Sequence, residues 1–447
     1  MHIKKNINNN LIIFLSVHLV LWTLVPTISN NNLPLDTIEH LAWATNLEFG
    51  YGKHPPLVAW ILGSFYQIFG SQDWSYYFLS QVFVILSFFI IYKFSKLFFT
   101  KKIYCLISVM LLEGIYFYNY TTPEFNVNVC QLPFWALSAF YFWKSLSSNK
   151  KKDWILFGFF SALGVLSKYL FIYLLVSLGL FYIVKSIGKK INYNFLFLFI
   201  PFLLILLPHL IWLVENNFST ISYALNRTGL DAAGFSSHIS QPLIFLTKQI
   251  AILIPFFMML YILVSKFKIK NNFKDKKLLF LITISLGPII LMFLTSFLTG
   301  AKIRTMWMTP FYLFFGVFVV YIFQKQINLN KLKNFVSIFF ILFFLSPFSY
   351  LIVSITQKDK RTDYPGKAIA KKVQESWNNK YKKDKISYVE GNEWVAGNLS
   401  YHLKSRPKWI GSKEKVKSKN KLSIVDVFEN NISEAVHKVG YFKVYGE

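Results

Sequence analysis

Charge is scarce in this chain. Of 447 residues, 15% are Asp, Glu, Lys or Arg and 54% are hydrophobic, whereas a soluble protein carries about a quarter charged residues. That shortage excludes a string of soluble domains, and the apolar content excludes disordered and collagen-like classes. Cysteine is nearly absent. Cys105 and Cys130 lie in separate apolar stretches, so a disulfide is not expected and no metal-ligand spacing exists. Arginine is also rare: Arg227, Arg304, Arg361 and Arg406 are the four among 48 Lys+Arg. With Lys so frequent, a lone lysine says little, while a retained Arg says more, because its planar fork grips phosphate in a way Lys does not. Internal repeats, a Gly-rich phosphate loop and low-complexity tracts are all missing.

What the chain has instead is long apolar runs. A transmembrane helix needs roughly 20 such residues. Candidate spans are 11–28, 76–98, 103–119, 126–146, 154–167, 169–187, 194–214, 241–264, 278–299, 307–324 and 335–356. The pair 154–167 and 169–187 is one apolar run interrupted by Ser167-Lys168. The first span follows Lys4 and Lys5 without a small-residue cleavage site, which reads as an uncleaved anchor. The formal net charge is +27. In a membrane protein that excess points to cytoplasmic loops and a lipid environment, not to nucleic acid. With the N-terminus inside, clusters at 4–5, 93–102, 144–152, 185–190, 266–277 and 325–333 put 22 basic residues on the cytoplasmic side. The short outer segments hold five: Lys53, Lys168, Arg227, Lys302 and Arg304. These sit where insertion disfavours positive charge.

Two domains are expected: 1–356 in the membrane, including a first outer loop at 29–75, and 357–447 as a small soluble α/β domain on the outer, periplasmic face. The latter has 20 Lys/Arg and 11 Asp/Glu, with a helix near 365–380 and short strands such as 386–390. Its lysine run 413–421 reads as a solvated loop. A second outer segment, 215–240, holds Arg227 and Asp231.

The chemistry-bearing residues cluster in the first outer loop. Asp36 and Glu39 lie one helical turn apart, so both carboxylates can face one way. They can accept a proton from a hydroxyl or hold a sugar. Equally, Asp36 can start a helix with Glu39 at its third position, as in a capping box. Lys53-His54-Pro55-Pro56 fixes the entry into the next helix. Here Lys53 is either a surface lysine or an anion ligand, and His54 either a structural or a site histidine. Lys302 and Arg304, at i and i+2, suit a phosphate at headgroup level, or else snorkel to lipid. Arg227 has the same two readings. Lys168 is an ionisable residue at the junction of two spans. Glu124 opens the fourth span, either as a dipole-favoured cap or as a site carboxylate.

Asp36…Glu39…Trp43…Gly50-Tyr51…Lys53-His54-Pro55-Pro56-Leu57…Trp60 resembles the first outer loop of bacterial family-39-type glycosyltransferases, relatives of the protein O-mannosyltransferases and of the lipid A aminoarabinose transferase. Weaker similarities are Thr122…Glu124-Phe125-Asn126…Leu132-Pro133…Trp135, Leu166-Ser167-Lys168-Tyr169, Pro208-His209…Trp212, Arg304…Met306-Trp307…Pro310 and the tail Tyr388-Val389-Glu390-Gly391-Asn392…Trp394…Gly397-Asn398. The resemblance implies an all-α, polytopic GT-C fold. It also implies an inverting transferase that takes a sugar from a polyprenyl-phosphate carrier on the outer side of the inner membrane. The acceptor would be an envelope lipid such as lipid A or lipopolysaccharide, another glycan or a protein. The family's catalytic carboxylate maps onto Asp36. In many relatives an acidic residue follows directly; here Thr37 stands there and the second carboxylate comes at Glu39. Lys53, His54, Glu124, Lys168, Arg227, Lys302 and Arg304 are the expected substrate and phosphate ligands. No cofactor and no metal are expected. The competing classes are a transporter or flippase of lipid-linked sugars, which would show repeat symmetry and midplane charge, and an envelope assembly protein.

Overall fold

The computed structural model describes residues 6–188, 192–229, 234–268, 274–381, 385–411 and 442–446. Lys4, Lys5, Asp231 and the run 413–421 lie outside the described residues. The helices are α1 (Ile7–Ser29), α2 (Leu35–Trp43), α3 (Leu57–Phe69), α4 (Asp73–Ser95), α5 (Lys102–Met110), α6 (Val127–Ser148), α7 (Lys151–Ser167), α8 (Ile172–Ser186), α9 (Phe199–Glu215), α10 (Ser219–Thr228), α11 (Ser237–Ile252), α12 (Ile254–Leu263), α13 (Lys276–Thr299), α14 (Phe315–Phe323), α15 (Leu332–Thr356), α16 (Gly366–Lys380) and α17 (Val395–His402). Three short strands complete the described chain: β1 (Ile386–Gly391), β2 (Lys408–Ile410) and β3 (Phe442–Gly446).

This is a multi-pass membrane protein. Among the described residues, six helices are long and apolar enough to cross a bilayer, or eight when each of two bent pairs counts as one span. All eleven expected spans fall on helical chain, but several are shorter or broken. The run 103–119 is helical only to Met110 and continues as tight 3-10 turns at Leu111–Gly114 and Tyr116–Tyr118. The run 241–264 bends by 46° between α11 and α12. Pro255 has no N–H to offer the preceding turn, so the ladder cannot run through it. The apolar run at 154–187 divides at Lys168, whose extended backbone (φ −164°, ψ 134°) ends α7.

Helix faces follow burial. On α9, Leu206, His209 and Leu213 are buried while Leu203, Leu204 and Leu207 are exposed, the pattern of a helix with lipid on one side. Adjacent α6 and α7, α1 and α4, α7 and α9, and α8 and α13 pack against one another. At one end of the bundle lie the basic connections, where Lys277 donates to the Leu97 carbonyl and Tyr104 to that of Gln324. At the other end lie α2, α3 and the C-terminal elements. There β1 is central in the order β2-β1-β3, parallel to β2 with Val389 opposite Trp409 and antiparallel to β3 with Val389 opposite Val444. Asn398 accepts from Asn32, and Arg406 donates to the Leu41 carbonyl at 2.5 Å. The C-terminal elements are thus bound directly to the first loop.

Candidate active site

A cavity of about 560 Å³ opens where α2, the 53–55 turn, α10 and the ends of α7 and α13 converge. Asp36 and Glu39 line it from α2. Lys53 and His54 line it from the turn, Lys168 from the end of α7, Arg227 from α10, and Arg304 from the connection after α13. Tyr173, Met292, Ile303 and Trp307 add apolar wall. Two acidic and four basic side chains therefore share one chamber with an oily side.

The local chain explains how each group arrives. The first helical residue of α2 is Leu35, after Pro34, so Asp36 is in the first turn. Its side chain does not cap the helix. The Asp36 N–H instead donates to Glu124 Oε1 at 2.9 Å, and Glu124 Oε2 accepts from Asn126 at 3.2 Å. The capping-box reading of Asp36 and Glu39 is thereby corrected: a carboxylate from another element takes the orphan N–H. Likewise α6 is capped not by Glu124 but by Asn126, which accepts from the N–H of Asn128 and Val129. Among the described residues no hydrogen bond engages the Asp36 carboxylate, which leaves its oxygens available to a ligand.

Lys168 donates to Asn128 Oδ1 at 2.5 Å and lies over the Trp307 ring, 5.5 Å from its centroid. Lys53 is held between two carboxylates, Glu39 Oε1 at 3.2 Å and Glu393 Oε2 at 2.7 Å. Burial pushes the Glu39 carboxyl up to about 7; the Lys53 ammonium opposes this, and the Glu393 and Asp36 charges add to it. Burial outweighs the ion pair at Glu39, although that same pair raises the Lys53 ammonium. Burial also lifts Glu124 well above the usual carboxylate range, with the Asp36 charge adding. His54 stacks on His40 at 5.7 Å, and burial holds His54 well below its ordinary value, so it is neutral at physiological pH. By contrast, no hydrogen bond or ion pair among the described residues engages the guanidinium group of Arg227 or of Arg304.

Residues 53–212 match the family model described as dolichyl-phosphate-mannose-protein mannosyltransferase. No curated protein matches significantly by sequence. Among solved structures, the crystal structure of ArnT from Cupriavidus metallidurans bound to undecaprenyl phosphate superposes with a TM-score of 0.62 at 12% identity, over 90% of this chain and 85% of that one. The chain has the ArnT fold. The GT-C architecture implied by the sequence resemblance is therefore the one found.

Within this ArnT-like frame the expected site residues divide. Asp36, Glu39, Lys53, His54, Lys168, Arg227 and Arg304 meet at the cavity, and Glu124 stands behind Asp36. Lys302 does not join them: its backbone N–H donates to the Thr228 carbonyl and its side chain is exposed. Buried Ala301 and Ile303 flank it, so the i, i+2 pair does not act as one grip. Thr37 is buried and donates to the Phe125 carbonyl at 3.2 Å. Glu393 was not among the expected site residues; it lies 340 positions from Lys53. Nor were the aromatics Tyr169, Tyr173, Tyr223 and Trp307, which line the cavity. The Lys168-Tyr169 and Met306-Trp307 pairs were the available signal. Cys105 and Cys130 are buried and free. Among the described residues no group of three His, Cys, Asp or Glu could hold a metal ion. A larger open cleft, about 830 Å³, lies at the basic end beside Lys101, Lys266 and Lys325, and among the described residues no carboxylate lines it.

Proposed function

We propose that this protein is an inverting membrane glycosyltransferase that moves a sugar from a polyprenyl-phosphate carrier to an envelope acceptor, whether lipid A or lipopolysaccharide, another glycan or a protein. The observation that carries the reading is Asp36 on the wall of one cavity with Lys53, Lys168, Arg227 and Arg304. A phosphate is already a good leaving group, so the reaction needs charge stabilisation on the departing side and a base on the attacking side. The acceptor hydroxyl oxygen forms a bond to the anomeric carbon. The bond from that carbon to the carrier phosphate breaks, and its electron pair stays on the phosphate. The hydroxyl proton goes to the Asp36 carboxylate. Attack opposite the leaving phosphate inverts the centre. The unengaged guanidinium groups of Arg304 and Arg227 receive the phosphate first, with Lys53 and Lys168 beside them, while the apolar wall accepts the start of the lipid tail. Glu39 and neutral His54 contact the sugar, Glu124 fixes Asp36, and Lys302 meets headgroups at the rim. The ArnT structure that shares this fold holds undecaprenyl phosphate, a carrier of the same chemistry.

The positive-inside bias supports a periplasmic position for this face and for residues 357–447. The concentration of charge in boundary loops, with none of the repeat symmetry of transporters, favours an enzyme over a flippase. Mass spectrometry of envelope lipids and glycans tests the reading. Cells carrying the wild-type chain gain a one-sugar mass increment. Asp36→Asn, inserted at the wild-type level, loses transfer by about 10²–10⁴-fold, the usual worth of a general base. An undiminished increment in Asp36→Asn would reject the role.

A further inference from the structure

Lys53 lines the cavity yet is already occupied. Its ammonium lies 2.7 Å from Glu393 and 3.2 Å from Glu39. When both acids are ionised, two carboxylates on one ammonium leave a net negative charge where an anion is expected to bind. The two acids are not equivalent. Glu39 belongs to the cavity wall and its side chain is 14% exposed; Glu393 is not among the lining residues and is 25% exposed.

The chain around Glu393 sets this contact with care. β1 ends at Gly391, whose φ of 154° other residues rarely adopt. Asn392 Oδ1 then accepts from the Val395 N–H at 2.7 Å, opening α17 directly after Glu393. One turn on, a Cβ at Gly397 would sit 3.1 Å from the Ala42 Cβ and 3.2 Å from the Ile38 Cγ2, so α17 packs on α2 at close range. The helix that carries Glu39 and the turn that carries Glu393 are thereby in register over Lys53.

We propose that Glu393 is the resident counter-anion of Lys53: the C-terminal elements mask this cation, and an incoming lipid phosphate must displace the Glu393 carboxylate to reach it. This positioning role rests on the donor reading above. On displacement Glu393 swings to water, while Glu39 stays beside Lys53. Lys53 is thus the gated cation, and Arg304 and Arg227 are the open ones.

The test is modification of Lys53 by trinitrobenzenesulfonate, read by peptide mass spectrometry on the full chain in nanodiscs, with and without undecaprenyl phosphate. The uncharged amine attacks the reagent's ring and displaces sulfite, and losing a counter-ion both uncovers the amine and raises its uncharged fraction. Glu393→Gln should react roughly three- to fivefold faster at Lys53, the scale of a partly exposed ion pair. Glu393→Asp, with its shorter arm, should fall between, and Glu375→Gln on α16 should match wild type. Undecaprenyl phosphate should protect Lys53, at a lower concentration in Glu393→Gln. An unchanged Lys53 rate in both Glu393 variants overturns the proposal. Faster reaction without protection by undecaprenyl phosphate in any variant keeps the masking and removes the donor reading instead.

Discussion

At the scale of the residue, the environment of Glu39 decides its chemistry. Its carboxyl, raised from 4.5 to about 7 by burial, holds its proton in the folded state over a range where the unfolded chain has lost it. The folded protein then binds more protons than the unfolded one, so stability falls as pH rises from about 4.5 through 7 and is flat above. Relative to Glu39→Gln, the wild type should lose on the order of 2 kcal/mol between pH 5 and 8. Thermal unfolding in detergent at several pH values checks this, and parallel curves for the two proteins would contradict it. The same titration sets the charge beside Lys53: below pH 7 Glu39 is a neutral hydrogen-bonding group, and above it a competing anion.

Asp36 and Glu39 are legible in the sequence because their i, i+3 spacing is visible within one turn. That spacing is shared by capping boxes, and only the structure separates the two readings. Pro34 lets the helix begin at Leu35, and Glu124 arrives from elsewhere to accept the Asp36 N–H. The position after Asp36 shows the same limit. Thr37, acidic in many relatives by resemblance, bonds the Phe125 carbonyl and is buried. The carboxylates near Asp36 come instead from Glu39 and Glu124.

At the scale of the element, close backbone approach sets the geometry of the wall. A Cβ at Gly158 on α7 would lie 2.0 Å from the Leu198 carbonyl oxygen just before α9, an obstacle of backbone that cannot rotate away. Gly158→Val should therefore force α7 from this neighbour and destabilise the protein by about 2 kcal/mol or more. Because α7 delivers Lys168, transfer should fall with stability. A wild-type melting temperature would show that the two segments separate freely. Another device holds the first loop to α9. His209 Nδ1 lies 2.6 Å from the Phe49 carbonyl, so that nitrogen carries the proton. Its Nε2 then accepts from Tyr169 on the cavity wall at 2.7 Å. The Pro208-His209…Trp212 motif was legible as a pattern, but its use was not, since the partners lie 40 and 160 residues away. The break in the apolar run 103–119 escaped for a related reason: no proline or glycine stands at Met110 to announce it.

At the scale of the whole molecule, the C-terminal elements and the first loop form one end of the bundle. Arg406 donates to the Leu41 carbonyl and stacks over the Tyr66 ring at 4.0 Å, and Tyr401 donates to Asp73 at 2.7 Å. Lys367 also reaches Asp73, but it is 63% exposed, and such a pair is worth little. Arg406→Ala should cost on the order of 1–3 kcal/mol of docking. Limited proteolysis would show it as faster cleavage after residue 356; an unchanged digestion rate would mean that the contact is dispensable. Composition and periodicity revealed the helix and strands of 357–447. They could not reveal that this segment places Glu393 on Lys53, because nothing local in the sequence encodes a contact across 340 residues.

Every role proposed for this site requires the carrier phosphate to be received at the Asp36 cavity. A structure of the protein with undecaprenyl phosphate bound decides the matter. Phosphate density should lie within hydrogen-bonding distance of Arg304 and Lys53, in the chamber that Asp36 lines. Phosphate density at the basic end, beside Lys101, Lys266 and Lys325, with the Asp36 chamber empty, would contradict it.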